Sequence, residues 1–297
     1  MKAKIIIPIA LAAAFASCGD TSGDYDATGT FESTEITVAA EQNGKLMFLD
    51  IEEGDTVEIG SEVGLIDTLQ LFLKLRQIGA TRQVYESQIP EIGKQVAATK
   101  EQLAKARTEY NRYSGLVGEG AANKKLLDDA QSQVKVLEKQ LAALQSDLDI
   151  SVKSLKAQME TADAEISIVD DQLRKCRIKS PISGTILEKY MEAGEYASIG
   201  KPLFKVADIG NMYLRAYITT SQLANVAIGQ SVAVYADYGD GERKQYEGKV
   251  AWISSKSEFT PKTILTDDER ADLVYAVKIL VKNDGFIKIG MYGEVKL

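Results

Sequence analysis

The chain has 297 residues with 35 basic and 43 acidic side chains, a formal net charge of −8, so we exclude nucleic acid as a partner. It contains no histidine, which removes Ser-His-Asp triads and the common zinc sites. A mean hydropathy of −0.14 leaves no room for several membrane spans. We therefore expect a protein that is not an enzyme, with no catalytic residue and no bound metal.

The first residues predict a secretory signal peptide over residues 1–17. Two lysines precede an apolar run from Ile5 to Ala16, which is shorter than the about 20 residues of a membrane span. The segment that ends at Cys18 resembles a bacterial lipobox, which implies that Cys18 receives diacylglycerol and becomes the mature N-terminus. Residues 18–27 would then be a flexible tether, and the protein would be periplasmic and lipid-anchored. The alternative is an ordinary leader, cleaved nearby, with Cys18 incidental.

A pattern of three glycines occurs twice, with the same spacings of ten and then six residues. The copies are Gly44, Gly54 and Gly60, and Gly184, Gly194 and Gly200. Repeated turns at repeated spacings predict two related halves, residues 37–67 and 178–208, that close into one β unit. Because Asn-Gly and Ser-Gly are favoured turns, we expect β-hairpins around Asn43 and Ser183.

Between the halves, residues 68–177 follow a heptad pattern. Apolar positions advance by four and three from Leu71 to Val117 and again from Leu127 to Cys176, which is typical of two helices packed along one stripe. The pattern stops at a Gly-Glu-Gly sequence, where the chain can reverse. We predict an antiparallel coiled-coil hairpin with arms about 70 Å long. A parallel dimeric coiled coil is the alternative, but an insertion must begin and end at the same place in its host, which favours the hairpin.

Each arm of the hairpin has one irregularity. Pro90 and Gly93 should interrupt the first arm, since proline lacks a backbone donor and clashes with the preceding turn. In the second arm the steps from Leu148 to Val152 to Leu155 depart from the heptad spacing. The two irregularities fall opposite each other, so we predict a bend or joint at this level.

The C-terminal part of the chain, residues 209–297, predicts a small closed β-barrel. Short alternating strands are separated by Gly and Asp turns, as in such barrels. The predicted strands lie within residues 212–218, 231–235, 247–253, 275–279 and 294–297.

The two glycine-marked halves resemble the biotinyl/lipoyl carrier fold. In carriers a modified lysine occupies the turn between the halves; here the hairpin replaces that turn, so we expect no prosthetic group and no cofactor. With a hairpin at this place, the chain resembles the HlyD family of bacterial membrane fusion proteins, which are periplasmic adaptors. The resemblance also rests on Ile178, Ser180, Pro181, Gly184 and Ile186, on Glu258, Phe259, Thr260, Pro261 and Lys262, on Glu269 and Arg270, on residues 274–278, and on Gly290 and Met291.

The resemblance implies a mixed α and β, elongated fold, in which the hairpin is inserted in a split lipoyl-like β-sandwich and a β-barrel follows. Residues 28–36 would add a strand to the barrel. It also implies an adaptor subunit of a tripartite efflux or secretion system, which forms a homo-oligomer, a hexamer, and links an inner-membrane exporter to an outer-membrane channel of the TolC type. The C-terminal motifs, and an end soon after Gly290 and Met291, favour an ABC exporter, with RND and MFS exporters as alternatives.

The hairpin tip of this family meets the channel through an arginine, a leucine four residues later and a serine seven beyond that. The matching residues are Arg112, Leu116 and Asn123, where asparagine replaces serine. The resemblance implies that Leu116 enters a groove between channel helices while Arg112 donates charge-assisted hydrogen bonds. Asn123 can cap the second helix, as serine does.

Two other functions stay open, a biotinyl or lipoyl carrier protein of an enzyme complex and a structural coiled-coil tether without a transport role. The carrier lacks its central lysine. Acidic pairs at Asp128 and Asp129 and at Asp267 and Asp268 could suggest acid-base or metal sites. Without a histidine beside them, we interpret them as solvated surface.

Overall fold

The computed structural model describes residues 25–239, 242–259 and 273–297. The predicted signal peptide, Cys18 and most of the tether lie outside the described residues, as does the motif segment 260–272. Among the helices that are described, none is long and apolar enough to cross a membrane.

Strands and helices follow the order expected for a β domain interrupted by a hairpin. The strands are β1 (Ala27–Ala39), β2 (Gly44–Leu49), β3 (Thr56–Val57), β4 (Glu62–Ile66), β5 (Arg177–Lys179), β6 (Gly184–Lys189), β7 (Tyr196–Ala197), β8 (Pro202–Thr219), β9 (Ser231–Gly239), β10 (Glu242–Phe259), β11 (Leu273–Lys282) and β12 (Tyr292–Lys296). The helices are α1 (Leu69–Ser87), α2 (Ile92–Gly118), α3 (Lys124–Lys175) and α4 (Thr220–Leu223).

The two glycine-marked halves share one hydrophobic core, as the sequence predicted. Leu46 and Ile66 from the first half pack with Ile186 and Phe204 from the second, and all four are fully buried. Cys176, at the end of the hairpin, lies in the same core, and burial raises the pKa of its thiol. The split β-sandwich is therefore confirmed.

Reciprocal backbone hydrogen bonds join the halves. They run from the amide of Gly54 to the carbonyl of Ile186 (2.9 Å), from Gly194 to Leu46 (2.7 Å), from Gly60 to Ser180 (2.8 Å) and from Gly200 to Ala40 (2.8 Å). All four donor glycines have φ between 79° and 98°, a conformation that other residues rarely adopt. The repeated glycine spacing therefore reflects one loop geometry that each half uses to bind the other.

The hairpins predicted around Asn43 and Ser183 are wrong. β1 pairs with β8 and β12 rather than with β2, and β5 pairs with β4 rather than with β6. Asn43 Oδ1 accepts a hydrogen bond from the amide of Ile199 at 2.9 Å, and Ser183 Oγ accepts one from the amide of Ile59 at 3.0 Å. Each residue therefore fixes a loop of the opposite half, so its turn chemistry does not produce a local hairpin.

The antiparallel coiled-coil hairpin is confirmed. Every stripe position predicted from Leu71 to Val117 and from Leu127 to Cys176 is buried or half-buried. α1 and α2 both pack against α3. The heptad pattern was sufficient here because each arm buries a single stripe against the other arm.

Ion pairs connect the two arms of the hairpin. Arg82, the one charged side chain on the predicted stripe, places Nε 2.6 Å from Asp163 of α3. Closer to the tip, Arg107 Nη2 lies 2.7 Å from Glu138. The aliphatic stem of Arg82 can cover the stripe while its guanidinium stays at the surface, which explains an arginine at this position.

The first arm is interrupted and the second is not. α1 ends at Ser87 and α2 begins at Ile92, so the interruption predicted at Pro90 is confirmed. α3 runs without a break for 52 residues, through the predicted irregularity at Leu148 to Leu155. Proline removes a backbone donor, whereas altered spacing of apolar side chains leaves every backbone amide of α3 in place.

The C-terminal strands form a closed barrel, as predicted. They are ordered β1-β12-β9-β10-β11-β8, and β8 pairs back onto β1 to close the ring. Phe31 of β1 lies in the barrel core, which confirms that the segment before the sandwich adds a strand. β1 and β8 each continue from the barrel into the sandwich as single strands. The residue boundaries that we assigned to the domains from sequence remain predictions.

Gly184 should be sensitive to the smallest substitution. A Cβ at this position would lie 2.3 Å from the carbonyl oxygen of Ala207, a backbone atom that cannot move aside. We expect Gly184→Ala to lower the free energy of unfolding by about 1–3 kcal/mol. The matched control is Gly79→Ala in α1, where a Cβ meets nothing within 4 Å and alanine should stabilise the helix. Urea unfolding of both variants tests this, and equal midpoints would contradict it.

Asp284, in the loop between β11 and β12, connects to β10. Its carboxylate is paired with the ammonium of Lys244 and accepts hydrogen bonds from the Phe286 amide at 3.1 Å and the Tyr246 hydroxyl at 3.0 Å. The bond from Lys244, followed by the bond from the Phe286 amide, lowers the pKa of Asp284 from 3.8 to about 2. The folded state therefore favours the charged carboxylate more than the unfolded chain does.

This pKa predicts a specific loss of stability in acid. Because the folded pKa lies below the unfolded value, the contribution of Asp284 is present above pH 3.8 and is lost as the pH falls towards about 2. Asp284→Asn should lower the melting temperature at neutral pH, and its difference from the wild type should shrink across that window. Asp129→Asn, on the exposed hairpin surface, is the control for loss of one charge. A difference that stays constant into acid would contradict the assignment.

Candidate functional site

The candidate site is the tip of the hairpin, where α2 ends and α3 begins. The amide of Gly120 donates to Val117 O at 3.1 Å, and the amide of Ala121 donates to Leu116 O at 2.7 Å. Gly120 has a φ of 72°, in the left-handed region that favours glycine. The Gly-Glu-Gly sequence therefore forms a tight reversal, as predicted.

Asn123 is the N-cap of α3. Its Oδ1 accepts a hydrogen bond from the amide of Lys125 at 2.9 Å, and its backbone is extended, as N-cap residues usually are. The predicted capping role is therefore observed. Because Oδ1 accepts this hydrogen bond, the side chain of Asn123 fixes the start of α3.

Arg112 lies on α2, one turn before Leu116, and is mostly exposed. Its Nη2 lies 2.5 Å from Glu109, and its guanidinium lies 5.2 Å from the centre of the Tyr113 ring. An exposed ion pair of this kind contributes only about 0–1 kcal/mol. Arg112 can therefore exchange its partner on α2 for an acceptor on another molecule at little cost.

Apolar side chains accompany Arg112 at the tip. Leu116 is half-buried, whereas Leu126, in the first turn of α3, is 45% exposed. Leu126 was not identified from the sequence, because it lies beside the heptad stripe rather than on it.

A groove with a volume of about 640 Å³ runs along one flank of the two arms near the tip. It is lined by Gln102, Lys105, Ala106, Glu109 and Tyr113 of α2 and by Leu126, Asp129, Ala130, Gln133, Leu137 and Gln140 of α3. The tip thus offers a guanidinium, partly exposed leucines and a groove at one end of a rigid element. These groups suit the docking of a helical partner, because a helix can place apolar side chains in the groove and accept hydrogen bonds from the guanidinium.

The arrangement matches known proteins over most of its length. Residues 34–209 match the family model described as RND MFP, barrel-sandwich hybrid domain. The UPF0194 membrane protein YbhG of Salmonella gallinarum is 27% identical, with 100% of this chain and 98% of that protein covered. A UPF0194 membrane protein of Acidithiobacillus ferridurans is 25% identical, with 89% and 83% covered.

Two solved structures share the fold. MacA from Actinobacillus actinomycetemcomitans has a TM-score of 0.55 at 24% identity, covering 91% of this chain and 76% of that one. The membrane fusion protein Spr0693 from Streptococcus pneumoniae R6 has a TM-score of 0.51 at 17% identity, covering 91% and 97%. Because the family model covers more than half of the sequence, including both halves of the sandwich and the whole hairpin, the chain belongs to the membrane fusion protein family of periplasmic adaptors.

Proposed function

We propose that this protein is a lipid-anchored periplasmic adaptor that links an inner-membrane exporter to an outer-membrane channel of the TolC type. The observation that carries the proposal is the closed sandwich from which the hairpin projects. Both ends of the hairpin enter one core, and hydrogen bonds between the halves fix them there. An element held in this way can keep two partners apart by the length of α3, about 78 Å at 1.5 Å per residue.

We propose an ABC exporter as the inner-membrane partner, with RND and MFS exporters as the alternative classes. The support is the sequence motif of the barrel, which begins at Glu258. Glu258 accepts two hydrogen bonds from Arg215 Nη2, at 3.0 and 3.1 Å, and so ties the end of β10 to β8. Glu258, the first residue of the motif, therefore has a fixed position on the barrel.

We propose that the tip binds the channel through Arg112 and Leu116, while Asn123 holds the turn that presents them. The pair between Arg112 and Glu109 is exposed, so it can open to donate charge-assisted hydrogen bonds to a partner. Each contact is weak alone. Several copies in one ring would bind together, because after the first contact the others form within the same assembly.

The double variant Arg112→Asp, Leu116→Asp should lose the channel but keep the exporter. Acidic side chains cannot donate the hydrogen bonds or fill an apolar groove, whereas the barrel is unchanged. We would crosslink cells that express the tagged adaptor, purify it and identify the captured proteins by mass spectrometry. The wild type should capture one exporter and one outer-membrane channel, and the class of the captured permease tests the ABC assignment.

The matched control carries Lys153→Asp and Ile150→Asp, on exposed positions of the same hairpin away from the tip and its groove. It has the same change in charge and should capture both partners. Normal channel capture by the tip variant, at normal abundance, would refute the tip assignment. Absence of any exporter from the wild-type sample would refute the adaptor function itself.

We propose that the sandwiches pack side by side into a hexameric ring. Ile59 and Ile199 occupy equivalent turns of the two halves, next to Ser183 and Asn43 respectively, and they are 68% and 62% exposed. A ring of identical copies needs two different faces on each copy, so that one face of a copy contacts the other face of the next copy. The turn of Ile59 on one copy and the turn of Ile199 on the next supply such faces.

Ile59→Asp and Ile199→Asp, made singly, should each convert the ring to monomers. A buried carboxylate at either face costs free energy at every contact of the ring. Mass measurement by light scattering in detergent tests this, with Ile150→Asp, an equally exposed isoleucine on the hairpin, as the control. A ring that persists in both sandwich variants would place the contact elsewhere.

A further inference from the structure

The described chain starts at one particular end of the barrel. The amide of Asp26 donates to Val295 O at 3.0 Å, and its Oδ2 accepts from the amide of Leu297 at 2.7 Å. Gln222 of α4 donates from Nε2 to the carbonyl of Asp26 at 2.5 Å. Tyr25, one residue earlier, packs its ring 5.0 Å from the ring of Tyr235. The first described residues, Tyr25 and Asp26, are therefore fixed beside α4.

The same end of the barrel carries two exposed apolar side chains. The loop after α4 covers this end with Val226, which packs into the barrel core, and two residues later Ile228 is 68% exposed. Leu273, at the start of β11, is 52% exposed. β11 pairs with the end of β8 through Val274 and Thr219, so Leu273 lies next to the start of α4. This barrel end, defined by Ile228 and Leu273, lies opposite the sandwich.

The length of chain before Tyr25 limits the distance between this end and a membrane. Six residues lie between Cys18 and Tyr25, so seven Cα–Cα steps connect them. Fully extended they span at most about 25 Å, and a flexible tether of this length has a mean span of about 15 Å. If Cys18 carries the lipid, the barrel end is held within that distance of the bilayer. Apolar contacts too weak to form in solution then form readily, because the tether keeps the local concentration of the surface high.

We infer that the barrel end bearing Ile228 and Leu273 docks on the lipid surface itself, with both side chains at the boundary between headgroups and acyl chains. This inference rests on the lipid anchor of the proposed function. Docking fixes the tilt of the barrel, and β1 and β8 carry that orientation into the sandwich, since each is one strand through both. The membrane would therefore orient the hairpin before any exporter binds.

A single-tryptophan variant tests the inference directly. The chain has one tryptophan, Trp252, so Trp252→Phe with Ile228→Trp leaves one indole at the barrel end. The mature chain is coupled through Cys18 to a maleimide lipid in phosphatidylethanolamine–phosphatidylglycerol vesicles; Cys176 is buried and does not compete. Some lipids carry bromine on the acyl chain near the headgroup. The control is Trp252→Phe with Val136→Trp, on the hairpin.

We expect brominated lipid to quench the indole of the I228W variant severalfold more than that of the V136W variant, with a blue-shifted emission. Equal quenching in the two variants overturns the inference. Quenching that appears only after the exporter is added also overturns it, since the exporter rather than the membrane would then orient the barrel. Because the anchor is attached chemically, these outcomes do not depend on natural acylation. Intact-mass analysis of the protein from cells tests that modification separately.

Discussion

The reciprocal bonding of two halves, 140 positions apart in sequence, is the constraint on which the molecule depends. Closing so long a loop costs conformational entropy. The coiled coil reduces that cost, because an antiparallel hairpin returns the chain to where it left. At its base the amide of Ile66 donates to the carbonyl of Cys176 at 2.9 Å, next to the last turn of α3. The hairpin and the sandwich therefore stabilise each other, since the hairpin brings the halves together and the sandwich fixes the hairpin.

Sequence patterns predicted the features that depend on local periodicity. The heptad pattern predicted the seam between the two arms and the place where the chain reverses. It therefore predicted that Arg112, Leu116 and Asn123 lie at one end of the hairpin. The strand pairing was not predictable from local turns, because the partner of Asn43 is the amide of Ile199 in the other half. The exposure of Leu126 and the groove beside it were not predictable from the heptads either. Both depend on how the side chains next to the seam of the two helices pack against each other, which the heptad pattern does not specify.

The barrel is coupled to the sandwich more tightly than a chain of separate domains would be. On the outer face of the barrel, Glu32 of β1 lies 3.1 Å from Lys278 of β11, while Arg215 of β8 binds Glu258 of β10. These pairs connect the two continuous strands to the rest of the barrel wall. A rotation of the barrel would therefore carry β1 and β8 with it, and through them the base of the hairpin.

The break between α1 and α2 divides the hairpin into a segment near the sandwich and a segment near the tip. Near the sandwich α1 and α3 are joined by Arg82 and Asp163, and beyond the break α2 and α3 are joined by Arg107 and Glu138. Heptad positions place both pairs on the same flank of the seam, opposite the groove near the tip. Between them the first arm has no helix over residues 88–91, while α3 is continuous. Bending at this level must therefore be taken up by α3 alone, and helices bend gently unless a backbone bond is lost. A gentle bend of this kind would change the direction of the tip and leave the register of the two arms unchanged.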